Sequence, residues 1–341
     1  MCYKLKIHLL RNEMRLNIDI IEDDLLALGG NILQTLLADH TTGGNIIWAT
    51  NDYDDNRKDG FCFDCPITID LITGDNNHII MPRIAKASQQ QRSRSQAMAE
   101  VFTPSWLCNA QNNLIDDAWF GQPEVFNIEN DNNSWTAKHV PDIPSGKCWQ
   151  DYVKDTRLEM TCGEAPYLVS RYDATTGAPI EIGSRIGLLD RKLWTIHHKT
   201  PNLADGMSKE QKKVVKKKWL RQVYKAYQSI YGYEYQGDNL LLAREALFVS
   251  FIEYYQAKWH TGKLPSIGSM QRVAEIISWN VWQMDGLSYG IPGQKPIESL
   301  NKDLFPMEVP PRQRFCRIRE WTGIEPLRGK EIIFKKMFDE N

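Results

Sequence analysis

The sequence predicts an α/β protein built on a mostly parallel sheet. Two observations carry this. After residue 155, short apolar runs of strand length alternate with longer runs at helical spacing. Three of the short runs also end beside acidic and small residues, around Glu159–Gly163, Gly232–Glu234 and Asp285–Gly286. That is where open parallel sheets place their ligands.

The elements follow in order. Residues 11–39 read as helical, with a stripe of Leu16, Ile18, Ile21, Leu25, Leu26 and Leu28 before Gly29-Gly30 and a second short helix through Leu33 and Leu37. Residues 45–85 read as strand-like and loop-rich, with apolar runs at Ile46–Trp48, Ile67–Ile72 and Ile79–Met81. Segment 86–97 is Gln-, Ser- and Arg-rich and reads as a flexible or partner-ordered arm. A helix is expected from Ser105 to about Trp119, burying Leu107, Ala110, Leu114, Ile115 and Ala118. Residues 121–150 read as a surface insertion. Arg157–Met160 forms the next strand, and 209–229 a helix with Val214, Val215, Trp219, Val223, Tyr224 and Tyr227 on one side. Ile230–Tyr235 is a strand, 239–258 and 268–278 are helices, and Trp279–Met284 is a strand.

Composition bounds the function. With 42% hydrophobic and 25% charged residues the chain belongs among globular proteins. No apolar run approaches the roughly 20 residues that span a bilayer. Its first residues lack the apolar stretch of a signal peptide, so a cytoplasmic protein is expected. The net charge of −2 makes no global case for nucleic acid, so local charge must carry it. Arg92 and Arg94 form one basic stretch; Lys212, Lys213, Lys216, Lys217, Lys218 and Arg221 form another. Such runs track phosphates, and equally form the solvated face of a helix. Seven cysteines, an odd number, fit reduced thiols better than a disulfide framework. Cys62-x-x-Cys65 has only His78 near it as a further ligand, so no metal site is expected.

The strand ends carry the chemistry. In Glu159-Met160-Thr161-Cys162-Gly163-Glu164, small residues would let the backbone approach a ligand, and a following helix would offer unpaired N–H groups to a carboxylate. Glu234 ends the next strand, where an acidic residue accepts hydrogen bonds from ribose hydroxyls. Asp285 ends the third, where a carboxylate can accept from an adenine amino group; Asp-Gly is also ordinary turn chemistry.

In this order the motifs resemble the amino-methylating, adenine-specific DNA methyltransferases of restriction–modification systems, the type called the modification subunit. Glu100–Pro104 before a helix resembles their Thr-Pro motif. Glu159-x-Thr161-Cys162-Gly163-Glu164-Ala165-Pro166-Tyr167-Leu168 resembles their Asp-Pro-x-Cys-Gly-x-Gly-x-Phe-Leu motif. Gly232-Tyr233-Glu234, followed by the helix through Leu241, Ala243 and Arg244, resembles the ribose segment, and Asn280–Leu287 the adenine segment. The resemblance implies a class I S-adenosylmethionine-dependent methyltransferase-like, Rossmann-like core over 96–300. An α+β extension over 1–95 precedes it, and a tail over 301–341 completes it in part. It implies S-adenosylmethionine as cofactor, held by Thr103, Pro104, Glu159, Cys162, Gly163, Glu234 and Asp285. It also implies double-stranded DNA as partner.

The sequence departs from the pattern at Glu164-Ala165-Pro166, where glycines are usual. It also lacks the Asn/Asp-Pro-Pro-Tyr/Phe motif that holds the target amino group. Val309-Pro310-Pro311-Arg312 offers neither the side-chain acceptor nor the aromatic ring. No catalytic residue is therefore assigned. The chain reads as a subunit completed by another polypeptide, or alternatively as a non-catalytic DNA-binding or anti-restriction protein on a degenerate methyltransferase scaffold.

Overall fold

The structure, a computed structural model, describes residues 18–54, 59–86, 103–294, 314–324 and 327–339. The N-terminal part holds helices α1 (Glu22–Ala27) and α2 (Ile32–Leu37), the two-residue strands β1 (Ala38–Asp39) and β2 (Gly44–Asn45), and a single helical turn, α3 (Ile69–Ile72). Next come α4 (Ser105–Phe120), the hairpin β3 (Asn127–Asn130) and β4 (Ser134–Ala137), and α5 (Trp149–Lys154). The central part runs β5 (Arg157–Glu159), α6 (Leu188–Lys199), α7 (Lys209–Gln228), β6 (Ile230–Glu234), α8 (Gly237–Trp259), α9 (Ile267–Asn280) and β7 (Val281–Gln283). An antiparallel hairpin, β8 (Arg317–Ile324) and β9 (Leu327–Ile333), precedes α10 (Lys336–Asp339).

Strands β5, β6 and β7 form a parallel sheet in that spatial order, pairing Leu158 with Tyr231 and Tyr233 with Trp282. The expected alternation of strand and helix is therefore present, and the protein is mixed α/β. Local chemistry fixes the helix ends. At α7 the Ser208 hydroxyl accepts from Gln211 N at 3.2 Å while the Gln211 side chain accepts from Ser208 N at 2.8 Å, a reciprocal cap. Gly121 closes α4 in the left-handed conformation.

Helix α8 is buried nearly all round and forms the centre of the protein. Leu241, Phe248 and Phe251 pack in one apolar cluster with Val223 of α7, Ile277 of α9 and Leu33, Leu36, Trp48 and Ile67 of the N-terminal part. The β8–β9 hairpin covers the other face of the sheet, where Ile318, Cys316 and Phe334 meet Tyr233 and Trp282. The Trp279 and Trp282 side chains are core, as the aromatic wealth of this region suggests.

The expected break at Gly29-Gly30 is present: both adopt left-handed φ between α1 and α2, and residues 11–17 lie outside the described residues. Other local expectations are corrected. The run Ile67–Ile72 contains a helical turn instead of a strand, and Ile47 makes only an isolated bridge to Pro66. Helix α4 buries its polar face: Leu114 is 70% exposed and Ile115 42%, while Asn109, Asn112 and Asp116 are buried. The reason is a network. Arg191 donates to Asp116 at 2.7 Å and to Asn109 at 2.9 Å, and Asn112 donates to the carbonyls of Tyr167 and Ile186. Cys62 and Cys65 form a disulfide, against the expectation of reduced thiols. A turn in which Cys65 N donates to Cys62 O brings their Cα atoms to 5.1 Å, within bridging range.

The first residue of α8 is placed by close backbone contact. Gly237 N donates to Trp48 O, and a Cβ on Gly237 would stand 2.0 Å from the Ile47 carbonyl oxygen. Gly237→Ala is therefore expected to destabilise the protein by about 1–3 kcal/mol through overpacking. Chemical unfolding would measure this, and a wild-type midpoint would show that the Ile47 segment moves freely.

Candidate functional site

The carboxyl ends of β5 and β6 open into a cavity of about 530 Å3. Its lining includes Thr103, Glu159, Cys162, Gly163 and Glu234, drawn from three separate stretches of chain and all expected as cofactor ligands. Asn112 of α4 and Asn239 of α8 complete the polar wall. Pro104 stands at the N-cap of α4, beside Thr103, and is not among the lining residues.

The loop after β5 is set by backbone geometry. Thr161, Gly163 and Ala165 all take left-handed φ, a sparsely populated state for a β-branched residue such as Thr161. Cys162 N donates to Tyr233 O at 2.8 Å, stitching the loop to β6. Gly163 N donates to Glu234 Oε2 at 2.8 Å, and Gln236 N to Glu234 Oε1 at 3.2 Å. The expected helix directly after this loop is absent: the chain turns, and α6 begins only at Leu188. A loop, not a helix N-terminus, therefore borders the cavity, and the amides of Cys162, Gly163, Ala165, Tyr167 and Leu168 are bonded within the protein. Pro166 removes one amide at this place. Glu164 is turned to other work: its carboxylate accepts from Arg83 N at 2.7 Å and from the Tyr172 hydroxyl at 2.5 Å.

The electrostatics are acidic. Among the described residues, the lining holds three glutamates and no lysine, arginine or histidine. Burial pushes the Glu159 carboxyl up to about 8, although the backbone amides of Tyr167 and Leu168 oppose this. Burial also raises Glu234, against the pull of the amides of Gly163 and Gln236. Cys162 is buried, and burial together with Glu159 and Glu234 lifts its thiol well above the ordinary range, so it is a neutral packing group. Glu159 Oε2, Asn112 Oδ1 and Asn239 Oδ1 are buried acceptors without a hydrogen-bond partner. Buried polar atoms of this kind call for a donor.

Asn112 and Asn239 escaped the sequence reading. The signal for Asn112 was present: Asn109, Asn112 and Asp116 recur at helical spacing and form a polar stripe inside α4. Asn239 lies two residues into α8 from its first residue and carried no such pattern.

The other expected residues lie elsewhere. Asp285 is not in the cavity lining; its carboxylate accepts from Leu287 N and the Ser288 hydroxyl, both at 2.9 Å, in a turn. At the end of β7 the Gln283 side chain is bonded to the Ile47 backbone. Arg92 and Arg94 fall outside the described residues, as does Val309-Pro310-Pro311. Lys212, Lys213 and Lys217 are exposed on α7. Lys216 is half-buried, donates to the Tyr255 hydroxyl at 3.3 Å and lies over the rings of Tyr255 and Trp259. His78 faces Asp19 at 3.5 Å.

No family model, no curated protein and no solved structure matches this chain. Among the described residues, no helix is long and apolar enough to cross a membrane.

Proposed function

We propose that the cavity at the ends of β5 and β6 binds S-adenosylmethionine, and that the chain is the cofactor-holding part of an adenine-specific DNA methyltransferase of restriction–modification type. The observation that carries this reading is convergence. Thr103, the Glu159–Gly163 loop and Glu234 meet around one acidic cavity, in the order the resemblance requires. The cofactor carries a sulfonium and an ammonium against one carboxylate, a net cation that suits three glutamates. Its ribose diol and ammonium are donors, which match the unpartnered oxygens of Asn112, Glu159 and Asn239. When bound, it supplies the methyl group.

The group that holds the target amine is proposed to come from a further strand beside β5. Strand β5 is the edge of the described sheet, and the connections run from β5 to β6 to β7 in one direction. Ligand crevices of open sheets form where that direction reverses. A further strand beside β5 would create the reversal and place its carboxyl end at the cavity. Leu158 and Met160, 40% and 67% exposed, leave an apolar margin there. DNA would be the methyl acceptor, with the exposed lysines of α7 as phosphate contacts.

Isothermal titration with S-adenosylmethionine tests the cofactor assignment. Saturable binding is expected, with affinity rising from pH 6 to about pH 8. The sign follows from Glu159, whose carboxyl is held up to about 8 and releases its proton when the cation enters. The free protein should show the opposite slope. Native Glu159 keeps a proton that the unfolded chain releases near its ordinary 4.5, so this group's contribution to stability falls as pH rises from there to about 8. Absence of heat at millimolar cofactor would overturn the reading.

A further inference from the structure

The Cys62-x-x-Cys65 motif lies outside the cofactor cavity, on a turn between the buried Phe61 and Ile67. The backbone around this turn is held from both sides. Trp48 N donates to Cys65 O at 3.1 Å, Ala49 N to Phe63 O at 2.8 Å and Ile67 N to Ile46 O at 2.8 Å. The Trp48 indole donates to Gly60 O at 2.9 Å, and its ring packs on Phe61. These bonds hold the turn independently of the disulfide. When the disulfide opens, the two sulfurs stay neighbours on a fixed backbone.

A third ligand stands beside them. Cys62 Sγ, Cys65 Sγ and an Asp64 carboxylate oxygen all lie within 4.8 Å of one another. Asp64 Oδ1 is 3.3 Å from Cys62 Sγ. A sulfur at about 2.3 Å and an oxygen at about 2.0 Å from one tetrahedral ion stand about 3.5 Å apart, so the carboxylate is already at ligand spacing. Two sulfurs on the same ion stand about 3.8 Å apart. Side-chain rotation reaches that separation from Cα atoms 5.1 Å apart. Both cysteines are half-buried and Asp64 is exposed, so a reductant and a cation reach the group from solvent. The sequence points to His78 as the further ligand, but His78 faces Asp19. The fold supplies Asp64, inside the motif.

We propose that Cys62, Asp64 and Cys65 form a redox-gated site for a thiophilic divalent cation such as zinc, closed to metal as the disulfide and open to it as the dithiol. Two molecules of a small thiol, RSH, become RSSR, and their two electrons and two protons leave Cys62 and Cys65 as thiols. The cation then displaces both thiol protons and binds two thiolates and the carboxylate, with water in the fourth position. Soft thiolate ligands select zinc over magnesium or calcium. The inference is independent of the cofactor cavity, which none of the three residues lines.

The test uses the full chain with Co2+, whose thiolate complexes absorb in the near ultraviolet, and Zn2+ as its competitor. One portion is reduced with dithiothreitol and freed of it by gel filtration under nitrogen; the other stays oxidised. The reduced protein is expected to take up one equivalent of Co2+ with a thiolate band that Zn2+ removes and Mg2+ does not. The oxidised protein should show no band. Cys65→Ser should abolish it, and Asp64→Asn should weaken Co2+ binding about tenfold or more. Cys148→Ser, at the exposed free thiol, should leave it unchanged. The proposal is overturned if the reduced wild type shows no thiolate band, if the oxidised protein shows the same band, or if the band survives Cys65→Ser. Wild-type affinity in Asp64→Asn, or loss of the band in Cys148→Ser, would overturn it equally. Should Cys65→Ser fail to melt like wild type, Cys62→Ser decides the matter by the same comparison.

Discussion

Replacing Arg244 by methionine is expected to destabilise the protein by about 3–5 kcal/mol, because several buried carbonyls lose their donor at a cost of about 1–3 kcal/mol each. The guanidinium is fully buried in α8 and donates to four backbone carbonyls: Val281 at 2.7 Å, Leu36 at 2.5 Å, Ala38 at 3.0 Å and Ser278 at 3.2 Å. Leu36 and Ala38 stand at the end of α2, and Ser278 near the end of α9. Helix ends leave carbonyls unbonded and carry partial negative charge, so one cation satisfies two helix termini at once. Burial lowers the Arg244 pKa only to about 10, so the group is charged at neutral pH. Methionine fills similar volume but has no donor, and the carbonyls would be left buried and unmet. The loss would be a large share of a typical total stability of about 5–15 kcal/mol. Urea unfolding at constant slope measures it. A change under about 1 kcal/mol would show that water or a backbone shift replaces the guanidinium.

Arg244 also shows what the sequence makes legible and what it hides. The position is read as part of a helix following Glu234, and that helix exists. Nothing in its spacing reveals that its side chain reaches the N-terminal part, because contacts across some 200 residues leave no periodic trace. The same holds elsewhere. Apolar patterning and composition place α7, α8 and α9 and the strands β6 and β7 within a few residues. Patterning fails for α4, where a buried polar network reverses the face that hydrophobicity predicts. It fails again for Ile67–Ile72, because an apolar run that short fits a helical turn as well as a strand. In the site, Glu159, Cys162, Gly163 and Glu234 are legible because each ends a strand, and parallel strands bring their ends together. Asp285 follows the end of β7 in the same way, yet it is absent from the cavity lining, its carboxylate is taken up in its own turn, and the Ile47–Trp48 segment is bonded to Gln283 and Gly237 at the ends of β7 and β6. The sequence carries no sign of that segment's path.

The contrast between Glu234 and Asp285 yields the sharpest functional expectation. Glu234→Ala should lower S-adenosylmethionine affinity about a hundredfold or more, while Asp285→Ala should leave it within about twofold; one to two hydrogen bonds to a charged group are at stake, about 2–4 kcal/mol. A carboxylate offers about four acceptor positions. Glu234 commits one oxygen to Gly163 N and the other to Gln236 N, which fixes its orientation and leaves capacity for a vicinal diol. Removing it takes away both the diol acceptor and the anchor of the Gly163 amide, so the loop and the ligand lose their partner together. Asp285 spends its carboxylate on its own turn, on Leu287 N and the Ser288 hydroxyl. Calorimetric titration of the two variants against wild type, with thermal melts to confirm folding, separates the outcomes. Equal loss in both would place the ligand across the end of β7. Loss in Asp285→Ala alone would overturn the assignment of the ribose to Glu234. Because Glu234 itself carries a burial-raised pKa, its alanine variant should also flatten the rise of affinity with pH, leaving the part due to Glu159.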